Sequence, residues 1–325
     1  QYMIWNNDEG ISAPGQGKRF GNSVRCVQIP GCTDEYACNY NSDANFDDGS
    51  CEYLSCNVNN YSLSFDGDDD WVEFNYPVIP ELGDFTIEAR VFANNEDFYK
   101  VFISQGVPPQ GNNVRYFMGY TQDDKFRVGQ WEPDVDFPME RWVDIAYVKN
   151  GPMVYLFVDG IKVAEVEFDN CYCANPQGGN LKIGSQWNNA SQEYWKGFID
   201  EIRISSVGLF SESYNLNDIE YNSDNTIAYY KFNQGPNGEY SNTLIDYSGN
   251  QNHGTINGAT WSCENKDLCG ECGGDNTSCE VISDIDGNQY GTVVIGGQKW
   301  MKQNLNVSSN KSCYDGQDLY CDTYG

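Results

Sequence analysis

The sequence predicts an all-β chain whose main region is a sandwich of antiparallel sheets. Apolar and polar residues alternate with a period of two through many short runs between about Ser55 and Trp261. Tight-turn dipeptides separate several of these runs. Helical patterning is confined to one short stretch, "ESYNLNDIEY", at 212–221. Many strands over roughly 200 residues, with almost no helix, give a β-sandwich or barrel. Apolar residues on both faces of several strands favour the sandwich.

The elements follow in order. In "FTIEARVF" Phe85, Ile87, Ala89 and Val91 share one face, and Thr86, Glu88 and Arg90 take the other. "WVDIAYVKNGPMVYLFVDGIKVAEVEF" reads as three strands joined at "NG" and "DG", which supply the positive φ angles of hairpin turns. "LKIGS", "GFIDEIRIS" and "TIAYYKFN" add further strands. Different sequence flanks this region. Residues 1–28 are polar and end in "GNSVRCVQ". Residues 31–53, "GCTDEYACNYNSDANFDDGSCEY", form a small module punctuated by cysteine, and 264–280 are a second cysteine-rich connector. From Asp284, "DIDGNQYGTVVIGGQKWMKQNLNV" reads as a polar turn, an alternating strand and an aromatic anchor.

Composition narrows the function classes. The chain has 325 residues, enough for two or three domains. Lys and Arg number 19 against 48 Asp and Glu, a net charge of -29. That balance argues against nucleic acid or an anionic membrane as partner, because both attract basic patches. Most of the carboxylates form a solvated acidic surface, and some are available to hold hard cations such as calcium. Thirteen cysteines, many in short Gly/Asp-rich stretches, point to an oxidising, extracellular setting. No run of eighteen apolar residues predicts a membrane span. The chain opens on Gln1 without a signal peptide and reads as a mature product or a fragment.

Several motifs resemble known families. "YSLSFDGDDDWVEF", "FTIEARVF", "LFVDG", "GFIDEIRIS" and "LIDYSGNQNHGTINGATW" resemble, in order and spacing, the concanavalin A-like, laminin-G-type jelly roll over about residues 61–261. The resemblance implies a two-sheet jelly roll, often with a structural calcium and sometimes a carbohydrate site. "DIDGNQYGTVVIGGQKWMKQNL" and "CYDGQDLYCDTYG" resemble the start of the major paralogous domain first described in Fibrobacter succinogenes, and "GNSVRCVQ" resembles its final strand. The module at 31–53 is similar to short repeats between domains of large secreted bacterial surface proteins. "CGECGGDNTSC" resembles calcium-associated linkers of the thrombospondin type. The expected organisation is therefore the tail of one paralogous domain (1–28), a cysteine-rich module (31–53), a jelly roll (56–263), a linker (264–280) and the head of another paralogous domain (284–325). The fold class is an antiparallel two-sheet jelly-roll sandwich with small disulfide-rich linkers and partial terminal domains. The chain reads as one window of a longer array.

Catalysis finds little support in the residues. The single histidine, His253, lies in a polar turn, "GNQNHGT". No G-x-S-x-G elbow, P-loop or zinc-protease motif is present. The E-x-D-x-x-E strand of some jelly-roll glycosidases has its nearest match at Glu132 and Asp134, with Phe137 in the third carboxylate's place, so the paired carboxylates of glycoside hydrolysis are not supplied. The chain is expected not to be an enzyme.

Calcium is the expected cofactor. Asp43, Asn45 and Asp47 present alternating oxygens, with Asp48 beside them and Gly49 close behind, as in the front of a calcium loop; a cluster of Asx turns is the other reading. "DIDGN" at 284–288 offers a shorter version that reads better as a turn. Unbroken alternation in "GFIDEIRIS" puts Asp200 with Phe198, Ile202 and Ile204 on the core face, where a carboxylate needs a partner. Calcium shared with Asp66 or Asp246 would supply one, as the jelly-roll resemblance implies, and so would hydrogen bonds at a strand edge. For carbohydrate, Trp131, Trp187 and Trp195 are the candidate stacking aromatics. Cys56 and Cys263 flank the jelly roll, whose end strands commonly adjoin in this fold, so a disulfide between them is expected. Cys313 and Cys321 form a second expected pair.

The expected role is a non-enzymatic structural or adhesive module of an extracellular bacterial surface protein or filament. Its partners would be neighbouring repeats or subunits in a head-to-tail array. The alternative is a carbohydrate-binding module attached to an enzyme elsewhere in a longer chain.

Overall fold

The computed structural model describes residues 28–52, 61–94, 98–106, 115–168, 179–186, 193–216, 223–236, 241–263, 268–270, 272, 277–284 and 286–303. Its strands are β1 (Pro30–Gly31), β2 (Phe46–Asp47), β3 (Ser62–Asp66), β4 (Trp71–Glu73), β5 (Phe85–Ala93), β6 (Lys100–Gly106) and β7 (Arg115–Tyr120). There follow β8 (Phe126–Val128), β9 (Trp142–Asn150), β10 (Met153–Val158), β11 (Ile161–Glu167), β12 (Leu181–Ile183), β13 (Lys196–Ser205) and β14 (Thr226–Tyr230). The last are β15 (Thr243–Leu244), β16 (Gly254–Asn257), β17 (Thr260–Ser262), β18 (Val281–Ser283), β19 (Gln289–Ile295) and β20 (Gln298–Met301).

Strands β1 and β2 pair in parallel in the small module, and β3 to β17 build two antiparallel sheets. One runs β11-β10-β9-β5-β13-β3-β17, with β14 also paired to β13; the other runs β15-β16-β4-β12-β6-β7-β8. One apolar core joins them, with Phe65, Ile87, Val91, Tyr147 and Ile199 from the first sheet and Val72, Ile103, Met118 and Ile183 from the second. The predicted inward set of β5, namely Phe85, Ile87, Ala89 and Val91, is buried in this core. The three-strand run forms as predicted: β9, β10 and β11 pair in sequence. Gly151 turns the first connection at φ 57°, and Asp159 and Gly160 turn the second at φ 49° and 77°. Of the short helix expected at 212–221, the described part, 212–216, holds no α-helix; a 3₁₀ turn follows at Ser223–Asn225.

Strand β13 departs from simple alternation. Asp200 pairs with Arg90, yet Arg203, three residues on, pairs with Glu88, only two residues back on β5. One extra residue on β13 makes a β-bulge, with Glu201 in the left-handed region at φ 44°. The bulge exchanges the faces: Ile199, Ile202 and Ile204 enter the core, while Phe198, Asp200 and Arg203 face away. The expectation that Asp200 shares the core face with Ile202 and Ile204 is thereby corrected.

The first and last strands of the sandwich adjoin, Ser62 opposite Ser262. The disulfide expected from that closeness does not form, because Cys263 pairs with Cys272 across only nine residues. A short loop is cheaper to close than one spanning the whole sandwich. Cys269–Cys279 is a second bridge in the same connector. In the small module Cys32 pairs with Cys51, and Cys38 is also disulfide-bonded. Downstream, β18, β19 and β20 form a three-stranded sheet turned at Gly296–Gly297, as the alternating "YGTVVIGGQKWM" implies. No described helix is long and apolar enough to cross a membrane. Cys56, Trp187, Cys313, Cys321 and residues 1–27 and 304–325 lie outside the described residues.

Candidate functional site

The face of the first sheet turned away from the core carries three rungs of side chains across β9, β5 and β13. Trp142, Phe92 and Phe198 stand opposite one another in the first rung, and Asp144, Arg90 and Asp200 in the second. In the third, Glu88 lies between Ala146 and Arg203, with Tyr229 of β14 beyond. Successive rungs are two residues apart on β5, or about 7 Å along a strand. Three cavities of about 410, 280 and 220 Å³ lie over these rungs. The first two share Arg90 and Glu201, and the last two share Ser62, Trp142 and Cys263, so they form one continuous groove.

The segment between β13 and β14 builds one wall. Phe210 and Tyr214 stack at 3.8 Å between ring centres, and both pack on Phe157. Thr86 anchors this segment: its hydroxyl donates to the Val207 carbonyl at 2.8 Å and accepts from the Leu209 N–H at 3.0 Å. At the other end the rings of Trp142, Phe92 and Phe198 lie 5.7–6.2 Å apart. The Arg90 guanidinium sits over Trp142 at 5.5 Å, a cation–π contact.

The charges of the floor are partly paired. Arg203 donates from Nε to Glu88 Oε2 at 2.6 Å, with Nη2 at 2.5 Å from the same oxygen. Arg90 Nη1 donates to Asp144 Oδ2 at 3.1 Å. Burial raises the carboxyls of Glu88 and Asp144 above the usual range against the pull of these guanidiniums. Asp200 is pushed up to about 7, first by burial and then by the Glu201 carboxylate. Its Oδ1 accepts the Glu201 N–H at 2.8 Å.

Of the three tryptophans expected to bind sugar, Trp131 and Trp195 lie elsewhere, and Trp187 is outside the described residues. Trp195 is fully buried among Phe102, Tyr120 and Phe137, so it is a core residue and that expectation is corrected. Trp131 is partly buried against the core beside β8. The groove aromatics were missed: the outward face of β5 was read as Thr86, Glu88 and Arg90, and Phe92, the next residue on that face, was left out.

The expected metal ligands do not assemble as one set. Asn45 Oδ1 accepts from Ile29 N–H, Asp47 Oδ1 from Gly49 N–H and Asp48 Oδ1 from Ser50 N–H, which is Asx-turn chemistry in the last two. Asp43 donates its N–H to Asn41 Oδ1 in a similar turn. Asp246 is fully buried and saturated: it accepts from Tyr229 N–H, Ser248 N–H, Ser248 Oγ–H and Asn252 N–H. It therefore needs no cation. Asp284 is likewise satisfied within its turn, accepting from Asp286, Asn288 and Tyr290. Among the described residues Asp66, Asp69 and Asp70, at the β3–β4 turn, bring carboxylate oxygens within 4.8 Å of one another. Burial, with Asp66 and Asp69 nearby, raises the Asp70 carboxyl. These hard oxygen donors fit calcium, with Asp66 the one expected ligand among them.

Residues 66–213 match the family model described as the Concanavalin A-like lectin/glucanases superfamily. This stretch is a concanavalin A-like jelly-roll domain. Among solved structures, a Bacteroides ovatus ATCC 8483 protein named as a candidate carbohydrate binding protein is 17% identical, with 63% of this chain and 60% of that one covered and a TM-score of 0.48. The heptameric SAP-like pentraxin of Limulus polyphemus is 15% identical over 47% of this chain and 78% of that one, at 0.37. The CBM40 of the Ruminococcus gnavus IT-sialidase, bound to alpha2,6 sialyllactose, is 13% identical over 45% and 94%, at 0.33. At such values these likenesses carry no argument about ligand. The chain spans less than two thirds of the first of them. No curated protein matches this chain.

Proposed function

We propose that the concanavalin A-like domain is a non-catalytic, extracellular glycan-binding module, and that the groove on its open sheet face is the binding site. The observation that carries this reading is the juxtaposition of Trp142, Phe92 and Phe198 with a hydrogen-bonding floor of Glu88, Arg90, Asp144, Asp200 and Arg203. Sugars offer an apolar C–H face and a rim of hydroxyls, and such a groove meets both. The disulfides in the small flanking modules, Cys32–Cys51, Cys263–Cys272 and Cys269–Cys279 with Cys38 also bonded, support an oxidising compartment. Adhesion through a surface glycan would join this reading to the role expected from the sequence. Glu88 and Asp144, two of the floor carboxylates, are each tied to an arginine and so make poor partners for glycoside hydrolysis.

Glycan-array binding of the full chain tests the proposal. Trp142→Ala should weaken any hit roughly tenfold through lost stacking. An array without hits, or hits indifferent to Trp142, would overturn it. Calcium belongs to the same proposal, held by Asp66, Asp69 and Asp70 and cross-linking the β3–β4 turn. Assembly with neighbouring repeats is a second reading, supported by Val294, Ile295, Trp300 and Met301 exposed on β19 and β20. Sedimentation of the chain with Trp300→Ser against wild type tests it, and a concentration-independent wild-type monomer would dismiss it.

A further inference from the structure

The groove's charge pattern carries more than a generic sugar site. Glu88, Asp144, Asp200 and Glu201 face two guanidiniums, Arg90 and Arg203. Each arginine is engaged by one carboxylate, Arg203 by Glu88 and Arg90 by Asp144. Asp200 and Glu201 remain, and among the described residues no lysine or arginine pairs with either. They line the middle cavity of about 280 Å³ together with Tyr61, Ser62, Arg90 and Trp142. An aromatic ring and two carboxylates without an ion pair thus share one compartment, where the Arg90 guanidinium, itself engaged by Asp144, offsets only part of the charge of Asp200.

We propose, resting on the reading of the groove as a glycan site, that it selects a cationic amino-sugar glycan, with the sugar ring against Trp142 and its ammonium against Asp200 and Glu201. An acidic sugar is excluded by the same geometry. To reach Arg90 or Arg203 its carboxylate would have to displace Asp144 or Glu88, leaving a half-buried anion without its partner. The net charge of -29 repels polyanions at long range and draws cations in. A ligand ammonium also favours the ionised form of Asp200, so binding near neutral pH expels a proton from the site.

Calorimetry on the full chain at pH 7 tests this with three probes: a glucosamine tetramer with free amines, the N-acetylglucosamine tetramer and sialyllactose. The free-amine tetramer should bind roughly tenfold tighter than the acetylated one, the effect of one charge-assisted contact. Its heat should vary with the ionisation enthalpy of the buffer as the proton is released. The double variant Asp200→Asn/Glu201→Gln should bring the ratio of the two affinities near one, with its melting curve confirming the fold. Equal affinities in the wild type would overturn the charge selection and leave the sugar site standing. No binding of any glycan would overturn both. A free-amine preference that survives in the double variant would mark diffuse attraction to the acidic surface and overturn the assignment. Tetralysine competing as well as the free-amine tetramer would point to a peptide cation instead, and would also overturn it.

Discussion

At the scale of single residues, Asp200 and Glu88 show two solutions to a carboxylate in a half-dry groove. Among the described residues Asp200 has no ion pair, and burial pushes its carboxyl up from 3.8 to about 7. The folded chain therefore holds this proton more tightly than the unfolded chain. The stabilisation is fully present below about pH 4 and is lost as pH rises through about 7. Asp200→Asn keeps an oxygen for the Glu201 N–H and removes the ionisation. The variant should match wild type at pH 4 and exceed it at pH 8, by at most about 4 kcal/mol at 1.36 kcal/mol per pH unit. Denaturant melts at the two pH values check this, and an equal difference at both would refute it. Glu88 instead has Arg203 at 2.5–2.6 Å, with little of either side chain exposed. Arg203→Met alone strands a buried carboxylate and should cost about 3–5 kcal/mol. Adding Glu88→Leu should recover part of that loss, and a double-mutant cycle measures how much.

At the scale of elements, legibility in the sequence follows local rules. Strands β9 to β11 were readable because "NG" and "DG" turns fix both ends of β10 and alternation does the rest. The inward face of β5 was readable for the same reason. The bulge in β13 was not, since one extra residue leaves no mark in composition, and it reversed the assignment of Asp200. The groove inherits that blindness: Phe198 joins Phe92 and Trp142 only when strands distant in sequence are brought into register. Trp195 shows the converse, since an aromatic count cannot tell a core ring from a binding ring. Aspartates in the β3–β4 turn were legible as acidic, yet only the turn's geometry brings Asp69 and Asp70 to Asp66. If calcium cross-links this turn, chelator should lower the melting temperature by several degrees, in line with mass action on a folded-state ligand. Asp69→Ala should abolish the difference between calcium and chelator. Superimposable wild-type melts would remove calcium from this turn.

For the whole molecule, the question is whether the disulfide module at 31–52 hangs from the jelly roll or is built onto it. His253, expected from its polar setting to be structural, answers this by its position. Its Nδ1 accepts the Asp246 N–H at 2.9 Å, so the ring proton belongs on Nε2, which donates to Asp34 Oδ2 of the module at 3.0 Å. Tyr36 packs on the imidazole at 4.5 Å between ring centres. Cys32 and Ala37 of the module share a buried apolar cluster with Ile245 and Tyr247 of the jelly roll. Gln251 reaches Asp47 across the same junction. The module is thus packed onto the jelly roll through polar and apolar contacts. His253→Ala removes the polar link and part of the packing while Cys32–Cys51 still staples the module internally. Amide hydrogen exchange within 31–52 should then speed up, by roughly tenfold for a loss of about 1–2 kcal/mol. Exchange in β5 and β9 should stay at wild-type rates, because neither strand touches the junction cluster. Asp34→Asn, which keeps an oxygen acceptor for Nε2–H, should give a smaller effect. Unchanged exchange in 31–52 of the His253 variant would show that the apolar cluster alone holds the module in place.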